Sequence, residues 1–205
     1  MDVIQNFKML DGNIYIHKNT DLGKNIKFYP FTYIDQNVSI GDNCEIGPYV
    51  SIGTKAEMPL EEDVNRKVKI KNNVTIREFV TIHSGHNRDT IIEDNVYIMN
   101  HSHIAHDCNI GENTIISAGV TLAGNVSIEE SCFLGIESSV HQNSTIGGYT
   151  ILGANSFAKG NLKPCLKYVG NPAKPISLNL LGVERSQKDK EYMNKLIEIA
   201  KKEIM

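Results

Sequence analysis

Five of the seven histidines in this 205-residue chain fall between positions 83 and 106: His83, His86, His101, His103 and His106, with His17 and His141 outside the group. A neutral imidazole, with an ordinary pKa of about 6.5, can take a proton from a hydroxyl or an amine near neutral pH. Three imidazoles can also hold zinc with a water in the fourth position, and His83, His101 and His106 resemble such a triad in γ-class carbonic anhydrases. A further spacing accompanies the cluster. His106, Gly124 and Gln142 stand 18 residues apart, with Asn125 and His141 beside them.

That spacing acquires meaning from the repeat that carries it. Stepping by six from Ile92, the chain reads Ile98, Ile104, Ile110, Ile116, Leu122, Ile128, Leu134, Val140, Ile146 and Leu152. Neither the 3.6 period of a helix nor the 2.0 period of a strand produces this register, whereas a parallel β-helix places one inward aliphatic in each six-residue rung. A second phase runs from Leu10 through Ile16, Leu22, Phe28, Ile34, Ile40, Ile46 and Ile52 to Ile70, Ile76 and Ile82. Three rungs make a coil of 18 residues. His106, Gly124 and Gln142 are therefore expected on one corner of successive coils, with adjacent strands about 4.8 Å apart. About 10 Å then separates His106 from Gln142, room for one sugar. If Asp107 follows ordinary strand alternation, it points away from His106, and the partner that orients the ring is left open.

The repeat fails twice. Residues 54–67 are charged and contain Pro59, and residues 83–89 add four residues to a rung. Both are expected as external loops beside the histidines. The expected organisation is thus a β-helix over 1–160, an irregular closing segment over 161–185 and a C-terminal helix over 186–205. The apolar stripe of that helix comprises Tyr192, Met193, Leu196, Ile197, Ile199, Ala200 and Ile204, set to pack on the β-helix flank. The flat strand faces of the prism favour packing of several copies.

Composition excludes several classes. The net charge is −3 and no basic run suggests a nucleic-acid footprint. No apolar run is long enough to span a bilayer, and Met1 to Leu10 lack the pattern of a signal peptide. Cys44, Cys108, Cys132 and Cys165 form no CxxC pair and read as buried core thiols, which points to the cytoplasm.

The runs NHSHIAHDCNIGENTIISAGVTLAGNVSIEE and GIESSVHQNSTIGGYTILGANSFA, with TIREFVTIHSG before them and GNPAKPISLNLLGVERS after, resemble the UDP-N-acetylglucosamine acyltransferases of lipid A biosynthesis. The resemblance spans roughly residues 70 to 186 and implies a left-handed parallel β-helix, a homotrimer and active sites between subunits. It implies that His106 is the general base, that His103 lies near the acyl group, and that His141, Gln142, Asn179 and Arg185 meet the substrate. It implies no metal. Three departures stand out. Asn125 replaces a family histidine after LAG, Ala154 replaces the glycine flooring the acyl channel, and the family continues into a longer helical domain. GNPAK is common among acetyl-CoA-dependent hexad enzymes, and Lys159, Lys163, Lys167 and Lys174 are placed to meet CoA phosphates. The expected function is therefore transfer of an acyl group, first of all acetyl from acetyl-CoA, to the sugar of a nucleotide-linked sugar. The alternative is UDP-N-acetylglucosamine O-acylation from hydroxyacyl acyl carrier protein. A zinc enzyme of carbonic-anhydrase type and a non-catalytic scaffold are the readings from other classes.

Overall fold

A computed structural model describes residues 6–58, 66–186 and 188–204. Short strands follow one another around a prism and build three sheets, each running the length of the molecule. Here we call them sheet A (including Ser51–Thr54, Thr81–His83, His103–Ile104, Thr121–Leu122 and Ser139–Val140), sheet B (including Thr90–Ile92, Asn109–Ile110 and Ser127–Ile128) and sheet C (including Thr75–Ile76, Tyr97–Ile98 and Ile115–Ile116). The chain visits A, B and C in turn, so every neighbour in the body of a sheet is parallel and one coil away. In sheet A the register aligns Ile34, Ile52, Ile82, Ile104, Leu122 and Val140 in one column. Ile34, Ile52, Ile82, Ile104 and Leu122 in that column have no exposed surface. Burying each such side chain contributes roughly 1.5–3 kcal/mol. The aliphatic columns are the core, as the hexads require. Leu10 and Leu22 are the exceptions. Both are exposed because they lie near the open N-terminal end, where few coils cover them.

Each rung also turns a corner, and the residue that turns it is in the left-handed region. More than half of the non-glycine residues with positive φ are asparagines, among them Asn43, Asn73, Asn95, Asn113, Asn125 and Asn143. Asparagine enters this region more readily than other side-chain-bearing residues because its amide bonds locally. The amides also bond to one another along a corner, Asn73 to Asn95 and Asn95 to Asn113 at 3.2 Å each. Val96, Cys108, Val120 and Cys132, each next to such a turn, point inward and are buried. All four cysteines are free and buried. Burial pushes the Cys108 and Cys132 thiols up to about 12 and Cys165 up to about 11, so all three are inert thiols.

The segment 161–185, expected as irregular, is mostly regular. Asn161–Leu162 extends sheet B, Leu166–Gly170 extends sheet C, and Ala173–Leu178 pairs antiparallel with the latter. The three prolines fall where they break no ladder: Pro164 lies between strands, Pro172 in the hairpin turn, and Pro175 on the outer strand. A six-residue helix α1 (Leu180–Arg185) and a longer α2 (Lys190–Ile204) follow. In α2 the packed stripe is narrower than its apolar content. Met193 and Ala200 are buried and Tyr192 and Leu196 lean on the core, while Ile199 and Ile204 are exposed. Of the loop expected over 54–67, residues 59–65 lie outside the described residues, as do Met1 to Gln5, Gln187 and Met205.

Candidate active site

His106 follows the sheet A strand His103–Ile104 and sits on the A–B corner, with its side chain 16% exposed. Asp107 beside it has φ of 63°, the left-handed corner value. This overturns the expectation that Asp107 points away from the histidine. Strand alternation stops at the corner, and the turn swings the carboxylate back toward the ring. The Nδ1 atom of His106 lies 3.0 Å from Oδ2 of Asp107. A carboxylate only accepts, so the bond fixes the proton on Nδ1 and leaves Nε2 with a free lone pair. The ring is also seated from below. A methyl group at Gly124, one coil further on, would stand 2.5 Å from Cε1 and Nε2 of His106. Only glycine leaves the imidazole its present place.

The Asp107 carboxylate is itself buried and heavily held. Its Oδ1 accepts backbone N–H bonds from His86, Asn87 and Arg88 at 2.8–2.9 Å. Its own N–H donates to Thr90 Oγ1, and its carbonyl accepts from Nε of Arg88 at 2.7 Å. Burial pushes the acid's pKa up. The Arg88 N–H, the His106 ring and the His86 N–H together outweigh burial and hold it below the usual carboxylate value. The loop after Thr81–His83 is thus wrapped around Asp107, and the inserted residues of the sequence are the cradle of a buried anion. The dyad can remove a proton from a hydroxyl at Nε2 and stabilise the imidazolium that forms.

The structure sorts the remaining site candidates by corner. Gly124, Asn125, His141, Gln142 and Lys159 share the A–B corner with His106, as the 18-residue spacing requires. Along it the N–H of Asn125 donates to the His106 carbonyl and that of Asn143 to the Gly124 carbonyl. The Asn125 amide is taken up by Asn143 at 2.7 Å. The His141 ring bonds the Gln142 carbonyl through Nδ1 and stands edge-on to Phe157, while Gln142 is exposed. His103 faces outward from its strand, bound to Thr81 and Glu57. Other candidates are not brought to His106 within one chain. Ala154 is on the C–A corner. Lys163 is on the B–C corner, Lys167 on sheet C and Lys174 in the closing hairpin, so the lysines ring the prism end and form no single patch. Arg185 ends α1 and lines a groove with Asn95, Asn113, Ser131 and Tyr149 on the B–C corner. Asn179 is buried and its amide is committed to the fold. It donates to the Tyr149 carbonyl at 2.8 Å and caps α1 by accepting from Gly182. The zinc triad is not assembled in the chain either. His101 stacks on Phe79 on the C–A corner, across sheet A from His106.

Sequence reading missed Asp107, Thr90 and the steric role of Gly124. The six-residue phase of the corner asparagines held the signal for Asp107, because position 107 falls in the same phase as Asn95, Asn113 and Asn125.

Residues 89–124 match the family model described as bacterial transferase hexapeptide (six repeats). The acyl-[acyl-carrier-protein]–UDP-N-acetylglucosamine O-acyltransferase of Campylobacter concisus is 35% identical over 195 residues, which are 91% of this chain and 74% of that protein. The chain belongs to this family. A relative of the same name from Burkholderia orbicola is 36% identical over 149 residues, covering 71% of this chain and 57% of its own length. Among solved structures, the UDP-N-acetylglucosamine acyltransferase of Campylobacter jejuni superposes with a TM-score of 0.77 at 28% identity, covering 92% of this chain and 81% of that one. LpxA from Acinetobacter baumannii superposes with a TM-score of 0.81 at 25% identity, covering 93% and 82%. The protein is therefore an acyltransferase enzyme built on a hexapeptide β-helix. No helix among the described residues is long and apolar enough to cross a membrane.

Proposed function

We propose that this member of the UDP-N-acetylglucosamine O-acyltransferase family transfers an acyl group from acyl carrier protein to a hydroxyl of UDP-N-acetylglucosamine. The observation that carries the reading is the His106–Asp107 pair, with Nδ1 protonated and Nε2 bare above Gly124. In the proposed step Nε2 takes the hydroxyl proton, the sugar oxygen attacks the thioester carbonyl, and the carbonyl–sulfur bond breaks as the imidazolium returns that proton to the departing sulfur, releasing the carrier thiol and the neutral ring. Asp107 stays ionised and balances the imidazolium. The names of the relatives, which specify acyl carrier protein as the acyl donor, support it over acetyl-CoA. The four lysines expected for CoA give that donor little support, since they are spread around the prism end.

In this reading His141 and Gln142 meet the sugar nucleotide on the corner they share with His106, and His103 lies on the donor side. Arg185 joins them from a second copy of the chain in a homotrimer, since its own B–C corner is remote from His106 in the fold. The test compares kcat/KM for hydroxyacyl carrier protein and acetyl-CoA with UDP-N-acetylglucosamine as acceptor. Preference for the carrier protein is expected, and preference for acetyl-CoA would overturn the donor assignment. Light scattering should return about three times the 22.8 kDa chain mass. A fully active monomer would refute shared sites.

A further inference from the structure

Arg88 grips Asp107 twice. Its own N–H donates to Oδ1 of the carboxylate at 2.9 Å, and its side-chain Nε donates to the Asp107 carbonyl oxygen at 2.7 Å. Its Nη2 donates to the Ser127 hydroxyl at 3.1 Å. Ser127 lies on sheet B one coil further on, in register with Asn109. Nε and Nη2 form one edge of the planar guanidinium and present two parallel N–H groups, a fork that lysine does not have. One rigid group therefore joins the inserted loop to the catalytic corner and to the coil that follows it.

The aim of the Asp107 carboxylate needs that second grip. Oδ1 is fixed by three N–H groups. Oδ2 meets Nδ1 of His106 at 3.0 Å and otherwise receives the Asn87 amide at 3.5 Å, the outer limit of a hydrogen bond. Where Oδ2 points thus depends on how the main chain of Asp107 stands against the 84–89 loop. That loop is tied at its ends, where the Ser84 N–H donates to the Thr54 carbonyl and the Thr90 N–H to the Lys67 carbonyl. Its middle doubles back tightly, and a methyl group at Gly85 would overlap the Arg88 carbonyl. This middle lies on the corner through the N–H nest and the Arg88 side chain. The acceptor also matters. A guanidinium on Oδ2 would compete with the histidine, whereas on the backbone carbonyl it holds Asp107 in place and leaves Oδ2 to the ring.

We propose that Arg88 is a positioning residue for the proton transfer: its guanidinium clamps the 84–89 loop to the A–B corner and keeps the Asp107 carboxylate in line with Nδ1 of His106. Arg88 acts through Asp107, and its role rests on the reading of His106 as the base.

The experiment is Arg88→Ala, which keeps the N–H at position 88 and removes the side-chain grip. Arg88 is exposed, so the variant should fold with a near-normal melt, checked by circular dichroism. With UDP-N-acetylglucosamine and acyl carrier protein thioester, kcat should fall about 10- to 100-fold, the scale on which a small misplacement of a catalytic group is felt. The acceptor KM should stay within about twofold, because the lost contact orients the base and binds no substrate. In an Asp107→Asn background the same change should cost less than about twofold, since residues that act as one unit are not additive. A second readout needs no turnover. The ring-nitrogen resonances of His106, in protein carrying isotope-labelled histidine, report which nitrogen holds the proton. The wild type should show it on Nδ1, and Arg88→Ala should show a mixture with Nε2. A kcat within twofold of the wild type would overturn the proposal, as would an undiminished loss in the Asp107→Asn background or an unchanged tautomer in Arg88→Ala. A wild-type ring with its proton on Nε2 would overturn the reading of His106 as base, and this proposal with it.

Discussion

Asp107→Asn separates the proposed chemistry from the fold. The three backbone N–H groups of His86, Asn87 and Arg88 converge on Oδ1, and an amide oxygen can accept all of them. Keeping that nest puts the new NH2 group where Oδ2 now meets Nδ1 of His106. The amide then donates to Nδ1, and the imidazole proton moves to Nε2. The lone pair required for proton removal is gone. Returning to the productive tautomer sets two donors against each other and loses a charge-assisted bond worth about 1.5–3 kcal/mol. With the repulsion added, the penalty is about 3–5 kcal/mol, and at about 1.4 kcal/mol per decade of rate this is a loss of about 150- to 4,000-fold in kcat. The melting temperature should move little, because the nest survives. Asp107→Ala should instead lower both, since three loop N–H groups lose their acceptor at about 1–3 kcal/mol for each that stays buried. The assay is kcat at saturating UDP-N-acetylglucosamine and acyl carrier protein thioester, with thermal melts alongside. An Asp107→Asn enzyme within threefold of wild-type turnover would refute the orienting role of the carboxylate.

Other consequences follow from the same geometry. Gly124→Ala should displace the His106 ring and reduce kcat by at least tenfold with a near-normal melt, since the added methyl meets only the end of a side chain; unchanged kcat would show that the seat is not needed. Asn179→Ala should destabilise the chain end by about 0.5–2 kcal/mol in urea unfolding through loss of the α1 cap. A change in acceptor KM without loss of stability would instead restore Asn179 to the substrate set. Ile104→Ala, in the fully buried column, should cost about 2–5 kcal/mol. Stability should also fall in acid. The Asp107 carboxyl is held below its unfolded value of about 3.9, so its contribution is complete above that pH and disappears as pH falls through the lower folded value. Denaturant unfolding at pH 7 and pH 3 should show a smaller acid loss in Asp107→Asn than in the wild type.

The sequence by itself determined the prism. A six-residue column of branched aliphatics leaves no other way to bury them, and the 18-residue coil by itself places His106, Gly124 and Gln142 on one corner. The residues of HIAHD and VHQ also carried the family. Tertiary structure decided the environment of those residues. Asp107 turns toward His106 because a corner residue at positive φ abandons strand alternation, and the insertion at 84–89 proves to be a ring of N–H donors around that acid. The closing segment became strands because the last coil offered an open sheet edge for Leu166–Gly170 and Ala173–Leu178 to extend. Arg88 is separated by 19 residues from Asp107 and by 39 from Ser127. No spacing rule joins them, since the inserted loop does not follow the repeat; only its fold over the A–B corner brings the three together.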